Sequence, residues 1–164
     1  APEKMEDEMI RVVATAGLML WAVCSQAVAQ DNHLAIVSKT AKFEDVRQDI
    51  GDAIVNAGLV VDFNGHIGKM LERTAGAVGA AKPLYTNAEY FTFCAAALSR
   101  AAMEADPANI GYCPYVVFVY ERVDQPGRVH AGYRRPAGGG SAASKAALAA
   151  IDALLEKIVK ESMK

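Results

Sequence analysis

The sequence predicts an α+β fold, a two-layer sandwich in which a mostly antiparallel sheet of about five strands carries helices on one face. The run from Asn109 to Tyr120 is the most strand-like in the chain, because β-branched and aromatic residues dominate it. A turn at Gln125–Gly127 leads into a second strand-like run, Arg128 to Arg134, so the two runs predict a β-hairpin. Elsewhere, strand-like runs alternate with apolar residues at helical spacing.

The remaining elements follow in chain order from the same two periodicities. The predicted strands span 33–40, 59–63, 90–94, 109–120 and 128–134. The predicted helices span 43–57, 64–74, 95–105 and 141–159. Asn64 is the expected N-cap of the second helix, and Ser141 or Ser144 that of the fourth. The predicted order is therefore β-α-β-α-β-α-β-β-α, without an internal repeat.

The composition limits where the protein acts and what it binds. The chain has 164 residues, 52% of them hydrophobic, and a formal net charge of -2 without a Lys/Arg-rich face, which argues against binding to nucleic acid. Residues 1–8 are acidic and are predicted to be disordered. Residues 9–29, uncharged from position 12 onward, predict a signal peptide or an uncleaved membrane anchor and leave 30–164 as a single α+β domain. Both alternatives place that domain in the periplasm or on the outer face of the inner membrane.

Cys94 and Cys113 form an even pair in such an oxidising compartment. The predicted helix between them carries the chain away by about 15 Å, and the residues from Pro107 to Tyr112 are enough to return it. We therefore expect the two thiols to meet at one end of the sheet. A position at a helix N-terminus stabilises the Cys94 thiolate, which favours reactivity and affinity for a soft metal such as copper. The common alternatives are a structural disulfide and two small buried hydrophobic side chains.

His66 is the second candidate ligand, since it lies in the first turn of a predicted helix, where the macrodipole favours the neutral imidazole that a metal or a haem iron requires. Met70 lies one turn along the same face and offers a thioether, although such a methionine is more often part of a core. His66 and Met70 point the same way, so non-covalent haem b would need another ligand, for which a second subunit is the expected source. The alternative is a helix-start histidine that is hydrogen-bonded to the backbone.

Arg134 and Arg135 are the candidate anion-binding residues, because guanidinium groups suit carboxylate, propionate or phosphate groups. The alternative is a solvated strand end. The sequence contains none of the common nucleophile, phosphate-binding, dinucleotide-binding or H-E-x-x-H motifs, and no C-x-x-C or C-x-x-C-H segment. No catalytic residue is therefore assigned, and a non-enzymatic role is favoured.

Several segments also resemble the domain of unknown function 302 family (DUF302). They are His66-Ile67 with the following M-L-x-R-T, the F-x-F-C at Phe91–Cys94, the A-D-P-x-N-I-x-x-C-P-Y at Ala105–Tyr115, the V-Y-E that follows, and Gly132–Pro136. The resemblance covers about residues 34–159 and implies a small α+β fold that is often dimeric and has no established biochemical role. Many members have C-N-P where this chain has Cys94-Ala95-Ala96, so a function that depends on that turn is not expected here.

Three functional hypotheses follow from the sequence. The first is a periplasmic domain that holds a copper-like metal or haem b through His66, Cys94 and Cys113, for electron transfer or for sulfur or redox metabolism, and that dimerises through an edge strand or the C-terminal helix. The second is a thiol–disulfide redox protein that uses Cys94 and Cys113. The third is an accessory subunit, anchored through residues 12–29, of a larger membrane or redox complex.

Overall fold

The computed structural model describes residues 33–80 and 82–164. The disordered extension predicted at 1–8 and the signal peptide or anchor predicted at 9–29 lie outside the described residues. Within the described ranges, none of the helices has the length and apolar character that a membrane crossing requires.

The described chain forms five strands and four α-helices in the predicted order. The strands are β1 (Leu34–Thr40), β2 (Val61–Gly65), β3 (Tyr85–Phe93), β4 (Tyr115–Arg122) and β5 (Arg128–Arg134). The helices are α1 (Phe43–Asn56), α2 (Ile67–Thr74), α3 (Ala96–Ala105) and α4 (Ala142–Ser162), and short 3-10 helices span Gly76–Val78 and Pro107–Tyr112. The α+β prediction is confirmed.

The strands form one antiparallel sheet in the order β1-β5-β4-β3-β2. The predicted hairpin is the central β4–β5 pair, with Val117 opposite Tyr133 and Glu121 opposite Val129. Because all pairs are antiparallel, four strand termini lie at the same end of the sheet: the end of β3, the start of β4, the end of β5 and the start of β1. Cys94 and Cys113 both lie at this end of the sheet.

One face of the sheet is covered by α1, α3 and α4, and the side chains between the two layers form a single core. Alternate strand residues face this layer, as the period of two requires. The inward-facing strand residues are fully or almost fully buried: Phe91, Phe93, Tyr115, Val117, Val119, Val129, Ala131 and Tyr133. The predicted apolar stripe of α4 includes Leu148, Ile151, Leu155 and Ile158, which are buried against them. Ser141 caps α4 by accepting a hydrogen bond from Ser144 N–H, as expected.

The structure corrects the predicted start of α2. His66, not Asn64, precedes the helix, and no side chain caps it. Asn64 belongs to β2, where its amide donates to Tyr90 O and its carbonyl oxygen accepts from Arg47. A residue that is free to cap a helix in isolation is thus held by the neighbouring strand and by α1. Helix α2 packs beside the first half of β3, where Gly68 comes close to the Ala88 backbone.

The opposite face of the sheet is not covered by α1, α3 or α4. It carries Tyr90, Phe118, Tyr120 and His130, and the His130 ring stacks on Tyr120 with centroids 4.7 Å apart. Leu34, Ile36 and Phe63 are exposed on this open face. His130 is therefore on the face opposite to its neighbours Val129 and Ala131, as its alternate position in the strand predicts.

Candidate functional site

The structure brings Cys94 and Cys113 together. Cys94 follows the last residue of β3 and precedes α3, whereas Cys113 lies between the Pro107–Tyr112 helix and β4. Their side chains are close enough to interact through a hydrogen bond, and the Tyr115 N–H donates to the Cys94 sulfur. Both are free cysteines, Cys94 exposed and Cys113 half-buried. The route predicted from the sequence, out along a helix and back along the next segment, is the one that the chain takes.

Two hydroxyl groups line the inner side of this thiol pair. The Cys113 thiol donates to Ser99 Oγ at 3.2 Å, and Ser99 Oγ is 2.8 Å from the Tyr115 hydroxyl. Tyr115 is only 2% exposed, so its hydroxyl depends on Ser99 for a partner. Burial raises the pKa of Tyr115, and the hydrogen bond from Ser99 only partly offsets this. Cys113, Ser99 and Tyr115 thus form a short chain of hydrogen bonds that leads from the surface into the core.

The electrostatic environment of Cys94 differs from the prediction. Burial raises the pKa of the Cys94 thiol, and the neighbouring Cys113 and the carboxylate of Asp62 raise it further. The Tyr115 N–H lowers the pKa, but not enough to reverse the shift. The N-terminus of α3 was expected to stabilise the Cys94 thiolate. The helix instead begins at Ala96, two residues after Cys94. Among the described residues, no cation is a cause that lowers the pKa of the thiol. Cys94 is therefore a thiol at neutral pH.

His66 lies away from the cysteines, beside the middle of β3. Its Nδ1 atom is 3.0 Å from Glu89 Oε1, and Glu89 also accepts a hydrogen bond from Arg47 at 2.9 Å. Glu89 lies five positions before Cys94 along β3, a separation of about 16 Å in an extended strand. The structure therefore does not bring His66 into contact with the cysteines, because β2 runs antiparallel to β3 and carries His66 away from them.

Met70 lies on the same helix as His66 but interacts with its own turn. The Thr74 hydroxyl donates to Met70 O at 2.8 Å and is 3.8 Å from the Met70 sulfur. Among the described residues, no group of three or more His, Cys, Asp or Glu side chains has the geometry to hold a metal ion. The donor atoms that the structure does combine are the two sulfurs.

The two arginines of the predicted anion site have different surroundings. Arg135 is ion-paired with Asp152 of α4 at 2.8 Å, and its guanidinium lies 5.7 Å from the centre of the Tyr133 ring. Arg134 is exposed and lines a cavity of about 200 Å³ at the cysteine end of the sheet, together with Tyr112, Pro114 and Val116. The arginine pair is therefore divided: Arg135 ties β5 to α4, and Arg134 remains available for a ligand.

A second, larger cavity of about 490 Å³ lies between α2 and the first residues of β3. Lys69, Leu71, Glu72 and Tyr85 are among the residues that line it. His66 is not among its lining residues, so this cavity does not place a ligand against the imidazole.

Sequence reasoning missed Asp62, Ser99 and Tyr115 as neighbours of the thiols. One local signal was present for Tyr115, because positions 113 and 115 point to the same side of an extended segment. Asp62 and Ser99 carried no such signal, since their proximity depends on the pairing of β2 with β3 and on the docking of α3.

Most of the chain matches the model of a known family. Residues 34–162 match the domain of unknown function DUF302. The chain belongs to the DUF302 family. Among curated proteins, no match was found. A solved structure to which this DUF302 chain is similar is the uncharacterized conserved protein DUF302 from Bacillus stearothermophilus, with 12% identity, a TM-score of 0.65, and coverage of 80% of this chain and 98% of that one. At this identity the likeness to the Bacillus stearothermophilus protein establishes the shared fold alone.

Proposed function

We propose that this chain is a thiol–disulfide redox protein in which Cys94 and Cys113 alternate between a dithiol and a disulfide. The observation that carries the proposal is the contact between the two thiols at an accessible end of the sheet. Cys94 is the exposed sulfur and is therefore the one that an external disulfide reaches first. Cys113 is half-buried and is the sulfur that resolves the mixed disulfide.

The proposed exchange has two balanced steps. The small fraction of Cys94 that is deprotonated at neutral pH attacks one sulfur of a substrate disulfide R–S–S–R. A Cys94–S–S–R bond forms, the substrate bond breaks, and the leaving thiolate takes up the proton that Cys94 lost. Cys113 then attacks the Cys94 sulfur, which forms the Cys94–Cys113 bond and releases the second R–SH. The leaving R–S⁻ takes up the proton that Cys113 lost, and Ser99 Oγ, which accepts a hydrogen bond from the Cys113 thiol, holds that thiol in place. The protein is oxidised by two electrons and the substrate is reduced by two.

The chain has a third cysteine, Cys24. The test therefore uses the full chain with the substitution Cys24→Ser, so that only the thiols of Cys94 and Cys113 remain. The reduced protein is equilibrated with thiol–disulfide buffers of known potential, quenched with an alkylating agent and weighed by mass spectrometry. We expect a two-electron transition that is reversible in mild buffers, at a potential well above that of inert structural disulfides. Cys94→Ser and Cys113→Ser should each abolish the transition. A bond that forms once and resists mild reductants would contradict the proposal.

A soft monovalent metal ion is the second candidate ligand of the same site. Two adjacent sulfurs suit copper(I), and a bound cation would relieve the mutual repulsion that raises the pKa of Cys94. A copper(I) titration against a competing chelator tests this candidate. One equivalent should bind in the reduced protein, and none should bind after Cys94→Ser or Cys113→Ser. Binding of copper(I) by both serine variants with the affinity of the wild type would exclude this site.

Haem b remains a separate hypothesis that rests on His66 alone. The Glu89 carboxylate accepts a hydrogen bond from His66 Nδ1, an arrangement that orients an imidazole for metal ligation through its other nitrogen. The Met70 thioether lies on the same helix, so a second axial ligand would have to come from another subunit. Titration with haemin and an absorption spectrum, with His66→Ala as the control, decides between binding through His66 and none.

Export to the periplasm, attachment through residues 12–29 to a larger complex, and homodimerisation remain proposals. Intact mass and cell fractionation of the natural protein test the first two, since a chain that begins near Gln30 lacks the anchor. Light scattering tests the third. The support for dimerisation is that β1 and β2 are the edge strands of the described sheet, each with one hydrogen-bonded neighbour.

A further inference from the structure

The cavity at the cysteine end is a fork between β4 and β5. The last paired residues of these two strands are Val117 and Tyr133. Beyond that pair, β4 continues to Tyr115 beside β3, while β5 continues to Arg134 beside β1. The strands diverge, and the gap between them is the cavity of about 200 Å³, whose floor is Ile151 and Leu155 of α4.

The fork offers polar groups to a ligand as well as apolar walls. The Tyr115 N–H is directed at Cys94 on the β3 side, so the alternation along an extended strand directs the N–H and C=O of Val116 toward the fork. Arg134 lies across the fork from Val116, on β5 and on the open face of the sheet, in register with Leu34 of β1. In the described part of the chain, the Arg134 guanidinium has neither a hydrogen bond nor an ion pair, whereas Arg135 next to it is held by Asp152.

The fork is also close to the thiols. Pro114 lines it, and Cys113 is the residue immediately before Pro114. The Cys94–Cys113 contact lies at the β3–β4 boundary and the fork at the β4–β5 boundary, so about one strand spacing, roughly 5 Å, separates them. A volume of about 200 Å³ is below the roughly 300–1,000 Å³ of sites for drug-sized ligands. It accommodates one amino-acid-sized group.

We propose that the fork binds the carboxylate-bearing part of a small acidic thiol or its disulfide, with Arg134 as the partner of the carboxylate, and so presents the ligand's sulfur to Cys94. The inference rests on the proposed function and adds the substrate class to it. The reaction is the exchange described above, in which R–S–S–R receives two electrons and two protons and leaves as two R–SH, while the protein keeps the Cys94–Cys113 bond.

The experiment compares two small disulfides that differ in charge. The reduced Cys24→Ser protein is mixed with oxidised glutathione, which carries carboxylates, or with bis(2-hydroxyethyl) disulfide, which is neutral. Samples are alkylated at intervals, and the two second-order rate constants for formation of the Cys94–Cys113 bond are obtained by mass spectrometry. The ratio of the rate constants measures the preference for the acidic disulfide. Arg134→Gln should reduce this preference about tenfold, the usual size of a lost charge-assisted hydrogen bond, and Arg134→Lys should retain part of it.

Arg128→Gln is the matched control, because Arg128 lies on the same strand and the same face but at the other end, where it donates to Ser38. We expect an unchanged ratio in this variant and an unchanged rate with the neutral disulfide in all variants. The inference is overturned if the wild type has no preference, if Arg134→Gln keeps it, or if Arg128→Gln loses it equally, while the bond still forms. If neither disulfide produces the bond, the proposed function fails and the inference fails with it.

Discussion

At one end of the sheet two sulfur atoms face each other beside two hydroxyl groups, whereas beside the middle of β3 an imidazole lies against a carboxylate that an arginine also holds. Cys94, Cys113 and Ser99 form the first group. His66 and Glu89 belong to the second, in which Arg47 and Asn64 also take part. The same strand, β3, connects them, with Glu89 at its middle and Cys94 after its end.

The difference shows how one strand separates two kinds of chemistry. Beside His66, opposite charges meet. Burial by itself raises the pKa of Glu89. The hydrogen bonds from Arg47, Asn64 and His66 outweigh burial and lower this pKa below its ordinary value. At the sulfur end, no cation of the described chain is among the groups that shift the pKa of Cys94, and this pKa is raised. Negative charge is thus stabilised at Glu89 and disfavoured at Cys94.

The largest expected effect is that of the disulfide on stability. Closing the Cys94–Cys113 bond creates a loop of about 20 residues, which should stabilise the fold by about 3 kcal/mol. Urea unfolding of the oxidised and reduced forms in the Cys24→Ser background measures the difference. Cys113→Ser should unfold at the same midpoint with and without reductant. A bond that destabilises the fold would contradict the close approach of the two thiols.

The next effect concerns Glu89. Only 14% of its side chain is exposed, so Glu89→Gln should cost about 2 kcal/mol at neutral pH, through weaker hydrogen bonds from Arg47 and His66. Because the folded-state pKa of Glu89 is lowered from 4.5, its contribution is present above that pH and is lost as the pH falls below it. Urea unfolding should show a larger difference from wild type at pH 7 than at pH 3. Glu104→Gln, in an exposed pair with Arg100, should cost no more than about 0.5 kcal/mol at either pH.

A smaller effect is expected from Ser99→Ala. Removing this hydroxyl leaves the buried Tyr115 oxygen without its partner and should cost about 1 kcal/mol, measured by urea unfolding of the reduced protein. The variant should also slow formation of the Cys94–Cys113 bond, because Cys113 loses the hydrogen-bond partner that holds its thiol in place. Ser38→Ala, whose hydroxyl accepts a bond from the exposed Arg128, is the control and should leave both quantities unchanged. Unchanged kinetics in Ser99→Ala would remove Ser99 from the proposed exchange.

The finest distinction lies in the titration of Cys94. Its thiolate, followed by ultraviolet absorbance, should appear at a higher pH than in an ordinary cysteine, since burial, Cys113 and Asp62 all raise its pKa. Cys113→Ser should lower the midpoint more than Asp62→Asn does. Asp49→Asn on the exposed face of α1 should leave it unchanged. A midpoint below neutral pH in the wild type would contradict the raised pKa of Cys94.

The success of the fold prediction has a local cause. The strand-like run that ends at Tyr120 and the turn at Gln125–Gly127 define the β4–β5 hairpin through residues that are adjacent in sequence. The stop at Asp106–Pro107 also holds, because the residue before a proline avoids helical geometry. The start of α2 was wrong for the opposite reason: the partners of Asn64 are Arg47 and Tyr90, which lie 17 and 26 positions away.

The sequence by itself determined the α+β class, the family and the meeting of Cys94 with Cys113, because each depends on periodicity, on short motifs or on the length of one intervening helix. Only the tertiary structure decided that His66 lies apart from the cysteines, that the pKa of Cys94 is raised rather than lowered, and that Arg134 and Arg135 have separate roles. Those outcomes depend on strand order, on register and on which charges burial leaves without a partner. Such quantities arise between elements that are distant along the chain, so no local pattern of residues encodes them.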